Sequence, residues 1–348
     1  MTLAVAVTLC AAACTLPSRL GSLPVRLSDR EFWELSAALS EPHGAFPQSD
    51  NLVSNETQFA VTVQTLRPRD GVYVGVGPEQ NFSYVARLRP AMAFIVDIRR
   101  ENRNLHLMYK ALFELSADRS EFVSRLFSRQ RATGLGRHSS VDDLFSAYAA
   151  VPPSAALHDE TGRQVRELLV SAHRFPLSAD DVASIEHALD AFRADGPEIH
   201  YGRGRQATAV WPSYLSLMTA RDRWRRARSY LASEESFTFV KELHARNLIV
   251  PVIGDFAGPS AIRGIGNYVR RHGAGISAFY SSNVEVYLSR DQLRAFCGNL
   301  ETLPSDADTW FLGNRTLEPL AVKLTKCASV PPSLRWPAGV AREGPTHP

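Results

Sequence analysis

Residues 71–102 read GVYVGVGPEQNFSYVARLRPAMAFIVDIRREN. Val72 to Val76 is a short β-branched apolar run, Gly75-Val76-Gly77-Pro78 breaks it, Glu79 to Leu88 suits a helix, and Pro90 ends that helix. A second buried strand, Met92 to Val96, then terminates on Asp97. Two glycines allow a sharp turn and a close backbone approach to a ligand, and the next helix offers free N–H groups at its N-terminus. Gly75, Gly77, Pro78 and Glu79 are therefore candidate ligand-contacting residues. Asp97, roughly 20 residues on, is placed to accept hydrogen bonds from both hydroxyls of a ribose. Strand, turn, helix, strand and acid in this order predict the opening of an α/β domain that binds a nucleoside.

The third glycine of the dinucleotide fingerprint is missing: Gln80 stands at its place, followed by Asn81 and Phe82. That departure argues against NAD, whose binding uses the close helix packing the third glycine permits. A mononucleoside such as S-adenosylmethionine (SAM) needs only the first turn and the acid. The alternative is a turn that binds nothing.

Upstream, Ser28-Asp29-Arg30-Glu31 is a capping-box pattern that starts a helix running to about Leu39, and Glu41-Pro42-His43-Gly44 ends it. The stretch from Phe46 to Glu56 is dense in short polar side chains and precedes a predicted helix, Thr57 to Leu66. Asp50, Asn51, Asn55 and Glu56 offer several acceptors just before the glycine turn, where a lid would arise; local capping is the other reading.

Downstream, Leu105 to Leu115 is an amphipathic helix, and residues 118–235 are mostly helical. Ser178 opens a helix whose Val182, Ile185, Leu189 and Phe192 form a buried stripe, with His187 as an exposed or satisfied side chain. Gly134-Leu135-Gly136 and Gly202-Arg203-Gly204 lack a preceding apolar strand and are not phosphate loops. The α/β rhythm returns with a helix over Phe237 to Arg246, a strand over Leu248 to Ile253, a turn over Gly254 to Pro259, a helix over Ile262 to Arg271 and a strand over Ile276 to Tyr280. Trp310-Phe311-Leu312 supplies a final strand, and Pro331 to Pro348 reads as a poorly ordered tail.

Strands alternating with helices imply parallel pairing, and ligands of such sheets sit beyond the carboxyl ends of the strands. Gly75 to Gly77, Asp97, Asp255 and the segment Tyr280 to Asn283 would then converge on one crevice. Asp255 is suited to accept from an adenine amino group and Phe256 to cover the ring, although either residue also suits a helix cap.

A chain of 348 residues with 45% hydrophobic and 22% charged residues has room for one elaborated domain or two small ones, at about 150 residues per domain. A formal charge of +3 gives no support to nucleic acid as the main partner, and leaves an unknown small-molecule or protein substrate. Arg221, Arg223, Arg225, Arg226 and Arg228 flank Trp224; a helical surface with a buried tryptophan accounts for them, and phosphate binding is the alternative. Histidines are scattered without a His-x-x-x-His pair, and Gly-x-Ser-x-Gly is absent, so neither a metal site nor a serine hydrolase is legible.

The stretch Leu3 to Leu16 is apolar, with Ala11-Ala12-Ala13 before Cys14, in the manner of a bacterial export signal with a lipoprotein cleavage site. No Lys or Arg precedes it, so a signal peptide, a misassigned start and a disordered tail all stand as readings. Cleavage before Cys14 would place a lipid anchor there, the sole membrane attachment expected, in a periplasmic or membrane-anchored protein; a cytoplasmic location is the alternative. Cys297 and Cys327 would then be the two remaining thiols, either paired or separately buried.

The order of parts resembles a SAM-dependent methyltransferase of the Rossmann-like class over roughly residues 55–115 and 236–320. Val74-Gly75-Val76-Gly77-Pro78 is similar to that family's glycine motif, Asp97 to its ribose-binding acid, Asp255 to its adenine-side acid, and Tyr280-Ser281-Ser282-Asn283 to its polar motif after the fourth strand. Tyr-Ser-Ser-Asn departs from the common Asn/Asp-Pro-Pro-Tyr, which speaks against amino-group methylation. The phrases DNLVSNE, GVGPEQNF, FIVDIRREN and YSSNVEVYL are also similar to an uncharacterised bacterial family. The resemblance implies a parallel-rich sheet with SAM as cofactor, Asn283 or Tyr280 orienting the nucleophile, and Glu56 or Glu285 taking a proton. It divides the chain into a leader (1–20), N-terminal helices with the first half-domain (21–117), a helical insertion (118–235), the second half-domain (236–330) and a tail (331–348). An exported protein that keeps the fold as a non-enzymatic binding protein is the second expectation.

Overall fold

The fold comes from a computed structural model, which describes residues 22–46, 50–201, 211–314 and 316–329. The expected leader with Cys14, the Gly202-Arg203-Gly204 turn and the tail lie outside these residues. Among the described residues six strands form one sheet: β1 (Val72–Gly75), β2 (Met92–Asp97), β3 (Ile249–Ile253), β4 (Ile276–Ser282), β5 (Trp310–Gly313) and β6 (Leu317–Pro319). Their order is β3-β2-β1-β4-β5-β6, parallel throughout except for the antiparallel pair β5 and β6. β1 and β2 are buried at every residue, as continuous apolar runs in a parallel sheet covered on both faces should be.

Thirteen α-helices accompany the sheet among the described residues. α1 (Asp29–Leu39) carries the expected capping box, Ser28 and Glu31 bonding each other's backbone N–H. It packs against β3, an edge strand that tolerates Pro251 because a missing N–H there breaks no inner ladder; Ser36 Oγ donates to the Pro251 carbonyl over 2.5 Å. α2 (Phe59–Thr65) and α3 (Gln80–Leu88) flank β1, and α4 (Arg100–Leu115) follows β2, starting a full turn earlier than its apolar stripe suggests. Between α4 and β3 come α5 (Arg119–Leu126), α6 (Val141–Ala149), α7 (Ala155–Arg166), α8 (Ala179–Asp195), α9 (Tyr214–Met218) and α10 (Glu234–Ala245). The helical stretch expected over 118–235 therefore sits in one crossover, from β2 to β3. Its Phe127, Val141 and Tyr214 share a continuous buried core with Val74 and Phe94 of the sheet. α11 (Ala261–Arg271), α12 (Arg290–Leu300) and α13 (Leu320–Ala328) are the last helices of the described residues.

Gln80 stands at the place of the missing third glycine, where its side chain bonds Ser54, Tyr84 and Tyr280, and Phe82 follows two residues later. The Phe82 ring lies 5.3–5.5 Å from those of His106, Tyr109, Phe113, Tyr230 and His244, so it fills the junction of α3, α4 and α10. One sequence expectation fails in this region. Residues 221–228 form a tight loop with a bridge between Arg221 and Ala227, not a helix, and Trp224 is 62% exposed. Buried Asp222 shapes the loop by accepting the N–H groups of Trp224 and Arg226 at 2.8 and 2.9 Å.

Candidate functional site

The strand order reverses between β1 and β4: β1 leads outward through β2 to β3, and the chain then returns to β1's other side. A crevice opens at such a reversal, beyond the strand carboxyl ends. A cavity of about 340 Å³ lies there, lined by Gly77 and Pro78 after β1, Asp97 and Arg99 after β2, Asp255 and Phe256 after β3, and Tyr280, Ser282 and Asn283 after β4. Asn51 and Asn55, from the polar segment before α2, close one side. Residues that the sequence places on four separate turns thus meet in one space.

Asn81 builds the glycine turn. Its Nδ2 donates to the carbonyls of Val76, Gly77 and Pro78 at 2.9, 3.1 and 2.7 Å, and its Oδ1 accepts from the Tyr73 hydroxyl at 2.9 Å. With the Val76 carbonyl held inward, the trans peptide points the Gly77 N–H the opposite way. Gly77 has φ +77°, and a Cβ there would meet nothing within 4 Å, so glycine is needed for conformation and its outer side is open. Pro78 contributes no N–H, so this turn is a single-donor contact rather than a phosphate cradle. Gly75 lies beneath, away from the cavity lining, where a Cβ would come within 2.1 Å of Asn81 Oδ1 and 2.5 Å of the Tyr73 hydroxyl. Gly75→Ala should therefore cost about 1–3 kcal/mol by overpacking, read as a lower urea midpoint with an unchanged slope. Gly77→Ala should cost only about 1–2 kcal/mol of left-handed strain.

Asp97 is not the free acid the sequence suggests. Arg99 donates Nε and Nη2 to its two oxygens at 3.0 and 2.9 Å, and the Arg99 backbone N–H adds a bond of 2.9 Å to Oδ1. Of the roughly four lone-pair sites on a carboxylate, one on Oδ2 remains, which suits one ribose hydroxyl rather than both. The pair is buried, and Arg99 Nη1 also donates to the Asn51 carbonyl at 3.3 Å. Sequence reading missed Arg99, although an arginine two residues after a strand-end acid is a visible signal.

Asn51 lines the cavity, and its buried Oδ1 has no partner among the described residues. A buried acceptor in this state costs free energy until a donor arrives. Asp255 accepts the Ala257 N–H at 2.8 Å through Oδ1, and its own N–H is fixed by Glu41 at 3.0 Å. Glu41 also accepts from the backbone of Ser260 and Ala261 at 2.7 and 2.8 Å, and so holds the whole turn after β3. It reads in sequence only as a helix terminator. Phe256 packs its ring 5.1 Å from Phe279 and 5.6 Å from Phe296.

On the β4 side, Ser282 adopts φ +51° at a register shift against β5, which turns Ser282 and Asn283 into the cavity. The Tyr280 hydroxyl accepts from Gln80 Nε2 at 3.3 Å. Glu56 does not line the cavity; its carboxylate receives the hydroxyl of Ser282 and the amide of Gln80 at 3.5 Å. Burial raises its pKa above the usual carboxylate range despite these bonds. Glu285 pairs with Lys323 instead. Asp50 pairs with His187 at 2.9 Å and lies outside the lining.

Glu79 is fully buried beneath the turn. Both its oxygens accept the Ser54 N–H, at 3.3 and 3.2 Å, and burial pushes its pKa up to about 8. His106 Nε2 donates to the Gly77 carbonyl over 2.9 Å, an acceptor-only partner that fixes the Nε2–H tautomer, and burial lowers its pKa to about 4. Both residues support the turn from behind as neutral groups.

The fold and site define an α/β protein with a crevice at the reversal of a mostly parallel sheet. The chain belongs to the family described as "Domain of unknown function (DUF7790)", which matches residues 51–136 and 155–327. No curated protein matches the sequence.

Proposed function

We propose that the crevice binds an adenine nucleoside, SAM or its demethylated product, and that the chain is a methyltransferase-like protein of Rossmann-like fold. The observation that carries this is the meeting of Gly77, Asp97, Asp255 and Asn283 around one cavity of about 340 Å³, within the roughly 300–1,000 Å³ of small-molecule sites. The strand order and the antiparallel strand beyond β5 support the fold reading. The residues suit the ligand: Gly77 offers an N–H to a carboxylate, Asp97 one lone pair to a ribose hydroxyl, and Asn51 an unfilled acceptor to an ammonium or amino group. Val76, Ile98 and Phe256 supply apolar wall for a purine.

Bound SAM would supply an electrophilic methyl for in-line displacement. The chain's part is to align the nucleophile and exclude water, with Tyr280 and Asn283 as orienting groups. Glu56 reaches the cavity wall only through Ser282, so a proton would pass by way of that hydroxyl. Calorimetry on the full chain should give micromolar binding of SAM and S-adenosylhomocysteine, at least about tenfold weaker in Asp97→Asn, which removes the charge, keeps the two Oδ1 bonds from Arg99 and puts a donor in place of the Oδ2 acceptor. Absence of heat from either ligand up to about 1 mM, the upper end of ordinary substrate affinities, would sink the proposal.

A second reading, an exported binding protein that keeps this fold without catalysis, is favoured by the disulfide between Cys297 of α12 and Cys327 of α13. Disulfides persist in oxidising compartments and are rare in cytosolic proteins. Cells alkylated at lysis should then yield linked 297–327 peptides in the extracytoplasmic fraction; two alkylated thiols in the cytoplasmic fraction would remove this reading.

A further inference from the structure

Far from the crevice, at the other end of α3, lies an open pocket of about 460 Å³ lined by Gln64, Arg67, Arg87, Trp224, Arg226 and Arg228. α3 spans nine residues, or about 13 Å at 1.5 Å per residue, so the two sites are separate. Among the described residues, Arg228 alone of these four arginines is neutralised, by buried Asp222 at 2.5 Å. Arg67 and Arg87 spend one nitrogen each on the carbonyls that end α2: Arg67 Nη1 donates to the Gln64 and Leu66 carbonyls at 3.0 Å, and Arg87 Nε to the Val63 carbonyl at 3.2 Å. Their remaining guanidinium nitrogens, and the whole of Arg226, have no carboxylate partner among the described residues. The Arg87 pKa is lowered, first by desolvation and then by the charges of Arg228 and Arg67, the state of a cation gathered with its own kind.

Like charges converge in this way only when something else holds them. Here the holding is built in: Asp222 fixes the 221–228 loop, and the Arg223 N–H donates to Gln64 Oε1 at 3.0 Å, tying the loop to α2. The same loop leaves the Trp224 indole 62% exposed at the rim. Guanidiniums in a fixed cluster suit the oxygens of phosphate, and an exposed indole offers a face for a flat ring.

We propose that this pocket is an anion site for a free nucleotide polyphosphate, with the phosphates on Arg67, Arg87 and Arg226 and the base against Trp224. The proposal does not depend on the reading of the crevice. Pyrophosphate, which carries no ring, tests the cationic half; ATP tests both halves. In calorimetry on the full chain at about 0.1 M salt, pyrophosphate should bind, and an Arg87→Gln/Arg226→Gln variant should weaken it by at least tenfold, the discrimination of about 1.4 kcal/mol. ATP should bind more tightly than pyrophosphate and quench indole fluorescence, and Trp224→Leu should abolish both the quenching and the advantage while leaving pyrophosphate binding unchanged. Arg226 and Trp224 are exposed, whereas Arg87 is half-buried and bonds the Val63 carbonyl, so a circular-dichroism melt checks that the arginine variant keeps the fold. Excess S-adenosylhomocysteine should not displace pyrophosphate. No pyrophosphate binding, binding indifferent to the arginine variant, or displacement by S-adenosylhomocysteine would overturn the assignment. A single-stranded oligonucleotide binding more tightly than ATP would overturn it in favour of a nucleic-acid site.

Discussion

Glu79→Gln should stabilise the protein at pH 8 by about 2–4 kcal/mol while changing little at pH 5. Burial raises the Glu79 pKa from the ordinary 4.5 to about 8. Below pH 4.5 the acid is protonated in both the folded and the unfolded chain and costs nothing. As pH rises from 4.5 to 8 the unfolded chain releases this proton and the folded chain keeps it, so stability falls across that window. A glutamine has no proton to lose, and the slope between pH 5 and 8 should flatten in urea titrations. An identical slope in the variant would show that Glu79 is not held neutral behind the glycine turn. His106 acts on the other flank: with its folded pKa lowered to about 4, stability is present above 6.5 and lost as pH falls toward 4. His173 has a raised pKa: burial would lower it, but bonds to Glu114 and Asp29 prevail, and its contribution is lost as pH rises above 6.5. The protein should therefore be most stable in weak acid.

Lys110→Met should lose about 3–5 kcal/mol, the cost of removing one partner of a buried ion pair. Its ammonium, almost wholly buried in α4, lies 2.5 Å from Glu114 and donates to the His244 carbonyl at 2.8 Å and to Asn247 Oδ1. Asn247 in turn donates to the Leu27 carbonyl at 3.0 Å and to Asp29 at 2.9 Å. One cation thus joins α4, the start of β3 and the start of α1. Methionine fills the space but leaves the His244 carbonyl and Asn247 Oδ1 without this donor, and Glu114 with His173 alone among the described residues. A urea midpoint within about 0.5 kcal/mol of wild type, the usual size of a surface substitution, would show that the network carries no weight.

The glycine turn, its flanking strands and the late α/β rhythm were legible because buried parallel strands are continuous apolar runs, and Gly-x-Gly and Pro90 punctuate them. The meeting of Gly77, Asp97, Asp255, Tyr280 and Asn283 was legible for the same reason, since a parallel sheet puts all these strand ends on one edge. Other features were not. Arg99 neutralising Asp97 and Asp50 turning to His187 depend on side-chain directions that spacing does not encode. Glu41 acts across more than 200 residues of sequence on the turn after β3. Trp224 misled because an aromatic among arginines fits a helix with a buried stripe, whereas Asp222 draws the backbone into a loop that turns the indole outward. β6 is three residues long and ends on Pro319, too short for period or propensity to register.

The most direct measurement is a crystal structure of the full chain grown with S-adenosylhomocysteine. The account predicts density in the crevice, with the purine beside Asp255 and Phe256, one ribose hydroxyl on Asp97 Oδ2, and the amino-acid end between Gly77 and Asn51. A crevice closed by its own side chains at millimolar ligand, or the nucleoside bound elsewhere on the molecule, would contradict it.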